Sequence, residues 1–166
     1  MIEKAKAGFI YKFECIRPDG TVRWEEEVHN LLPNESVAYI LGAALASGSQ
    51  LGTWYIGLFE SAHTPAVTDT MTTAVSTAVE SVAYSGTSRL TMTPDAITSG
   101  VFSNSSTPVE FTFTGPATIR GGFITSNILR GNTAGMLLSI VSLSSAKTMV
   151  ADEILKVTAG MSLATI

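Results

Sequence analysis

The sequence predicts an all-β, mainly antiparallel protein, a β-sandwich or jelly-roll-like fold with one short helix. Three observations carry that expectation. Residues near the N-terminus alternate with period two, short strand-like stretches follow one another after residue 53, and 18 serines and 21 threonines stand among 166 residues. Threonine and valine suit a pleated, half-buried surface, and short strands broken by turn residues are typical of sandwiches and barrels.

Residues 9–17 set Phe9, Tyr11, Phe13 and Cys15 against Ile10, Lys12, Glu14 and Ile16, the period of a strand with one wet face. "RPDGTV" supplies Pro-Asp-Gly turn chemistry. The next strand, "VRWEEEVHN", sets Val22, Trp24, Glu26 and Val28 against Arg23, Glu25, Glu27 and His29. A slip of one residue would exchange the faces, so parity selects the register. Pairing Arg17 with Val22 places Cys15 opposite Trp24, Tyr11 opposite Val28 and Lys12 opposite Glu27. Glu25, Glu27 and His29 then share a charged, solvated ladder of the kind that protects an edge strand. A metal site is not expected there, because it would need further ligands converging in a pocket.

"LLPNESVAYILGAALASGS" is read as a helix over 35–47, with Asn34 as N-cap, Glu35 complementing the dipole and Gly48 following the end. Val37, Ile40, Leu41, Ala44 and Leu45 form an apolar stripe, and the other side, with Tyr39 and Ala43, is hardly more polar. Such a helix is buried on more than one side, so Tyr39 and Ala43 are candidate interface residues. From residue 53 the β text is "TWYIGLF", "SRLTMT", "VEFTFTG", "ATIRGGFITSN", "MLLSIVSL" and "ILKVTAGMSLATI". Gly121 and Gly122 interrupt a strand pattern, which indicates a bulge or a close backbone approach. Residues 61–87 give a weak pattern, either a short helix after Asp69 or a long excursion.

No linker or repeat divides the chain, so one domain over 1–166 is expected, with 1–8 as a mobile arm that carries Lys4 and Lys6 to a neighbouring molecule. Net charge is −4 with a pI near 5.1, which argues against nucleic acid as a partner. Charged residues make up only 14%, mean hydropathy is +0.30, and soluble domains carry about 25% charge. Half of the charges fall in residues 1–35, which leaves the remainder sparsely charged and suited to protein contact. The start "MIEKAKAGF" lacks a signal-peptide core and no apolar run spans a bilayer, so a cytoplasmic product without a membrane role is expected.

Chemistry is thinly represented. The single cysteine, Cys15, lies in a strand pattern and reads as a buried thiol. No nucleophile elbow, phosphate loop, dinucleotide fingerprint or paired-cysteine motif occurs. His63 and Asp69 are suitable for a Ser/His/Asp arrangement, but abundant serine empties that match of information. Glu60, Glu80, Asp95, Glu110 and Asp152 are the carboxylates available for a glycosidase pair, with cross-strand and boundary positions as the plainer reading. "NSS" at Asn104 reads as a polar turn. The expectation is a protein without catalysis or cofactor.

Over residues 28–71 the text "VHNLLPNESVAYILGAALASGSQLGTWYIGLFESAHTPAVTDTM" resembles small tailed-bacteriophage virion proteins. The shared features are an Asn-Leu entry to an apolar helix, a "WYIGL" strand and a "TPA..TDT" segment, followed by "FTFTG" and "GGFI" elements beginning at Phe111 and Gly121. The resemblance implies an all-β virion subunit, with capsid decoration or cement as the leading role and the capsid surface as its location. Its implied partners are further copies of itself and the major capsid protein, after synthesis in the host cytoplasm. A tail or fibre component is the alternative, and a tail-associated glycan hydrolase a more distant one.

Overall fold

The N-terminal alternation becomes a hairpin of β1 (Ile10–Ile16) and β2 (Val22–His29). The computed structural model describes residues 7–163. Cys15 pairs with Trp24, Tyr11 with Val28 and Lys12 with Glu27, the register that parity selects. The turn end differs from expectation: a bulge after Cys15 pairs Ile16 with Val22, and the Arg17 N–H donates to the Thr21 carbonyl. Gly20, at φ 84°, closes that turn, and the Asp19 carboxylate accepts from the Thr21 N–H at 2.9 Å. The left-handed residue inside a short hairpin loop has the geometry of a bulged turn, which absorbs one residue from the pairing.

The described residues are mainly antiparallel β in two sheets, with one short α-helix, α1 (Asn34–Leu45). The first sheet runs β2-β1-β9, where β9 is Ile154–Ser162, and two short strands share the far side of β9. These are β5 (Val101–Ser103), on Gly160 to Ser162, and β6 (Val109–Thr112), on Ile154 to Val157. The second sheet runs β4 (Leu90–Met92), β3 (Trp54–Phe59), β7 (Ala117–Thr125), β8 (Leu137–Met149). The three residues of β5 have no counterpart among the strands read from the sequence.

The main core takes Tyr11, Phe13, Cys15, Phe111 and Val157 from the first sheet and Ile56, Leu58, Ile119, Ile124 and Val141 from the second. Alternate residues of the second sheet, Phe59, Phe123 and Ile140, form another cluster with Met71, Ala74 and Ala78. Successive side chains point to opposite faces of a sheet. The second sheet is therefore buried on both faces, and 71–78 is its outer cover, with a π-helical turn at Thr73–Thr77, whereas Tyr84 further along packs in the main core.

Glycine makes that outer face fit. Gly57 pairs with Phe123 and Gly121 with Phe59, and each ring lies over the opposing glycine. A Cβ on Gly57 would overlap Phe123, and one on Gly121 would overlap both Phe59 and the Val141 carbonyl. The expected irregularity is also present: between Ile119 and Gly121 the partner on β8 jumps from Lys147 to Ser142.

The stretch at Asn104 does form a turn, with the Thr107 N–H donating to the Asn104 carbonyl at 3.1 Å, but the Asn104 side chain is not part of its solvated surface. It is fully buried where β5 gives way to β6. Its Oδ1 accepts from the Ala159 N–H at 2.8 Å and its Nδ2 donates to the Val157 carbonyl at 3.2 Å. The side-chain amide thus stands in for a peptide group and carries the ladder of β9 across the break, so these backbone groups are not orphaned.

The helix forms close to its predicted limits, but its details differ. Pro33 occupies the N-cap position without a side-chain cap, and Asn34 is the first helical residue. Ser36 Oγ donates to the Leu137 carbonyl at 2.7 Å, and the Glu35 carboxylate accepts from the Leu137 N–H at 2.8 Å. These two bonds clamp the first turn onto β8. The clamp sets the rotation of the helix, turning Tyr39 and Ile40 toward the core and leaving Val37, Leu41 and Leu45 outside. After the helix, Ser47 rather than Gly48 adopts positive φ, 58°. Gly48 serves a close approach instead, because its N–H reaches the Gly42 carbonyl at 2.9 Å and a Cβ would stand 2.8 Å from that carbonyl carbon.

Candidate contact surface

The exposed row of α1, Val37, Leu41 and Leu45, repeats every fourth residue along one side, and Leu45 is 81% exposed. The helix contains one charged residue, Glu35, which is engaged with β8. An outward helical face without charge is poorly matched to water.

Tyr39 lies on the inner side. Its ring meets Trp54 edge-on at 5.6 Å and 74°, and its hydroxyl accepts from the Leu51 N–H at 2.8 Å. Ala43 is half-buried. Lys4 and Lys6 lie outside the described residues. Tyr39, Ile40 and Trp54 form one wall of an apolar cleft of about 300 Å³, closed on the other side by Phe102, Met161 and the rim residues Ile97 and Leu163. Ile97 is 71% exposed and Leu163 65%. Exposed apolar residues thus stand both on the helix and at the lip of this cleft.

The charged ladder lies on the other sheet. Glu25, Glu27 and His29 are exposed on β2, an edge strand, and Lys12 bridges to Glu25 at 2.9 Å and to Glu14 at 3.5 Å. No cluster of three His, Cys, Asp or Glu side chains that would hold a metal occurs among the described residues. Glu26 points the other way, to Lys147 at 2.9 Å and the Ser144 N–H at 2.6 Å. Burial opposes its ionisation, yet these two donors hold the carboxyl below the ordinary carboxylate range. Arg23 adds a second tie between the sheets by donating to the Thr148 carbonyl of β8 at 3.0 Å, and it bridges Glu153 in the turn before β9 at 2.9 Å.

Reactive groups are engaged in structure. Cys15 is fully buried, and loss of solvation, aided by the Glu153 carboxylate, pushes its thiol up to about 11. Few thiolates persist at neutral pH in such a site. His63 Nε2 does meet Asp69 Oδ2 at 2.8 Å, but the Ser142 hydroxyl donates to the His63 backbone carbonyl at 2.6 Å, not to the ring. Among the described residues no serine hydroxyl is bonded to that imidazole, so the base-to-nucleophile geometry of a triad is not assembled. Apart from Asp152, the scattered carboxylates have local partners: Glu60 accepts from Ser81, Asp95 from Ser103 and Ser105, and Glu110 bridges Lys156 across β6 and β9. Asp152 takes a positive-φ position in a turn.

Glu80 was one carboxylate in that series, and its partner was not legible. It forms a two-pronged pair with Arg89, at 2.7 and 2.8 Å, and both side chains are almost wholly buried. Arg89 also donates to the carbonyls of Asn127 and Asn132, while Glu80 accepts from the Gly131 N–H. The pair binds the cover segment to the loop after β7. Comparisons with protein-family models, with curated proteins and with solved structures give no match.

Proposed function

We propose that this chain is a structural subunit of a tailed-bacteriophage virion that decorates the capsid shell and stabilises it through subunit contacts, without turnover of a substrate. The observation that carries this reading is the uncharged row of Val37, Leu41 and Leu45, together with the open apolar cleft rimmed by Ile97 and Leu163. The virion-protein resemblance over residues 28–71 covers this helix. The two sheets, with their shared core, are read as the layers of a β-sandwich. Contacts are made with further copies of the chain and with the major capsid protein. A subunit that binds only the assembled shell lowers the free energy of that state by RT ln(1 + [L]/Kd), about 1.4 kcal/mol per tenfold excess over Kd at each site.

The test is particle strength. Shells lacking the chain are expected to rupture at lower temperature or milder osmotic shock, and purified protein to restore resistance, whereas Leu41→Asp/Leu45→Asp protein does not. Labelling that finds the chain only in the tail, with shell strength unchanged by its deletion, overturns the decoration reading.

A further inference from the structure

The irregularity in the second sheet builds a polar cleft on its outer face. At the bulge, Arg120 alone on β7 stands opposite four residues of β8, 143–146. Bulges of this kind re-aim a side chain out of the regular ladder. Arg120 is half-buried and lines a cleft of about 220 Å³ with His63, Thr64, Ser142, Ser144 and Ser145. No carboxylate is among the lining residues.

Every other described Lys and Arg side chain has a protein partner: a carboxylate, a hydroxyl or backbone carbonyls. Arg120 has none among the described residues. Its guanidinium presents five donors in a planar fork, a geometry that matches two oxygens of a carboxylate or phosphate. The hydroxyls of Thr64 and Ser145, without hydrogen-bond partners among the described residues, add donors around the same space, while the Ser144 hydroxyl is turned to Glu26. Two acids near the lining residues have partners of their own, Asp69 hydrogen-bonded to the His63 ring at 2.8 Å and to the Ala66 N–H at 2.9 Å, and Glu26 paired with Lys147 at 2.9 Å. The net charge of −4 opposes an incoming anion only weakly, since charges beyond about 8 Å are screened at physiological salt.

We propose that the cleft between Arg120 and the 143–146 arch binds an oxyanion, a carboxylate or phosphate group presented by a ligand. The fork fixes the oxyanion in its plane, and the serine and threonine hydroxyls complete its hydrogen bonding.

Inorganic phosphate and acetate, titrated separately into the 15N-labelled full chain, test this. Saturable amide shifts are expected at residues 62–64, 120 and 142–146, weakened about tenfold or more in Arg120→Gln and less in Arg120→Lys, which keeps the charge but loses the fork. Saturation by phosphate alone assigns a phosphorylated ligand, by acetate alone a carboxylated one, and by both a general oxyanion site. Lys156→Gln, a change on the other sheet, should bind as the parent does. Shifts that fail to saturate, spread over the whole surface, or persist unchanged in a folded Arg120→Gln protein overturn the proposal. If Arg120→Gln does not fold, loss of saturation in Ser145→Ala decides for it, and parent-like binding there together with Arg120→Lys decides against it.

Discussion

The outer faces of the two sheets differ in what covers them. On the first sheet, Lys12, Glu14, Glu25 and Glu27 remain at the surface or half-buried, with Lys12 tied by ion pairs to Glu14 and Glu25. On the second, Phe59, Phe123 and Ile140 are sealed beneath residues 71–78, and the seal is fastened at its end by the Glu80–Arg89 pair. Neighbouring charges on a wet face contribute little, whereas a buried pair that loses one member leaves an uncompensated charge. The stability of this protein is therefore expected to be far more sensitive on the covered face.

The largest effect follows from separating the fastener. Arg89→Met should cost about 3–5 kcal/mol, because Glu80 would stay buried without its cation. Urea denaturation measures it, and the double variant Arg89→Met/Glu80→Leu should recover much of the loss. A cost below about 1 kcal/mol would remove the contrast between the faces.

An intermediate effect is expected where the first sheet does hold a buried polar group. Asn104→Ala leaves the Ala159 N–H and Val157 carbonyl without their side-chain partners, at about 1–3 kcal/mol. Amide hydrogen exchange should show faster exchange at Ala159 than at residues of β9 paired with β6.

The smallest effects lie on β2 and sharpen the comparison within one strand. Glu27→Gln, on the wet face, should change stability by no more than about 0.5 kcal/mol. Glu26 is different, because its carboxyl is held low in the folded state. Its contribution is fully present above the unfolded carboxyl value of about 4.3 and is lost as pH falls through the lower folded value. The difference in unfolding midpoint between the parent and Glu26→Gln should accordingly shrink on acidification from pH 6 to below about pH 4.

The same contrast explains what was legible in the sequence. A sheet with one wet face writes itself as alternation, so parity sufficed for the Cys15–Trp24 and Tyr11–Val28 pairings. The helix announced its length but not its rotation, because apolar residues surround it nearly all round; the phase is set by Glu35 and Ser36 against Leu137, about a hundred residues away in sequence. Arg89, Glu80 and Asn104 looked like ordinary polar residues in polar text, and only tertiary pairing distinguishes them. For Arg120 a faint signal existed in the adjacent Gly121 and Gly122, which marked a bulge without saying which side chain it would turn outward.

The place of β9 between β1 and the β5–β6 pair has a consequence for how the protein is made. β1 pairs on one side with the neighbouring β2, but its other side waits for residues 154–160, most of the chain later. At ordinary ribosomal speeds of about 5–20 residues per second, that interval is on the order of ten seconds. Throughout it the nascent hairpin presents an unpaired edge beside other growing chains. The charges at Lys12 and Glu14 sit on that waiting strand, where they discourage premature pairing with a stranger until the proper neighbour emerges.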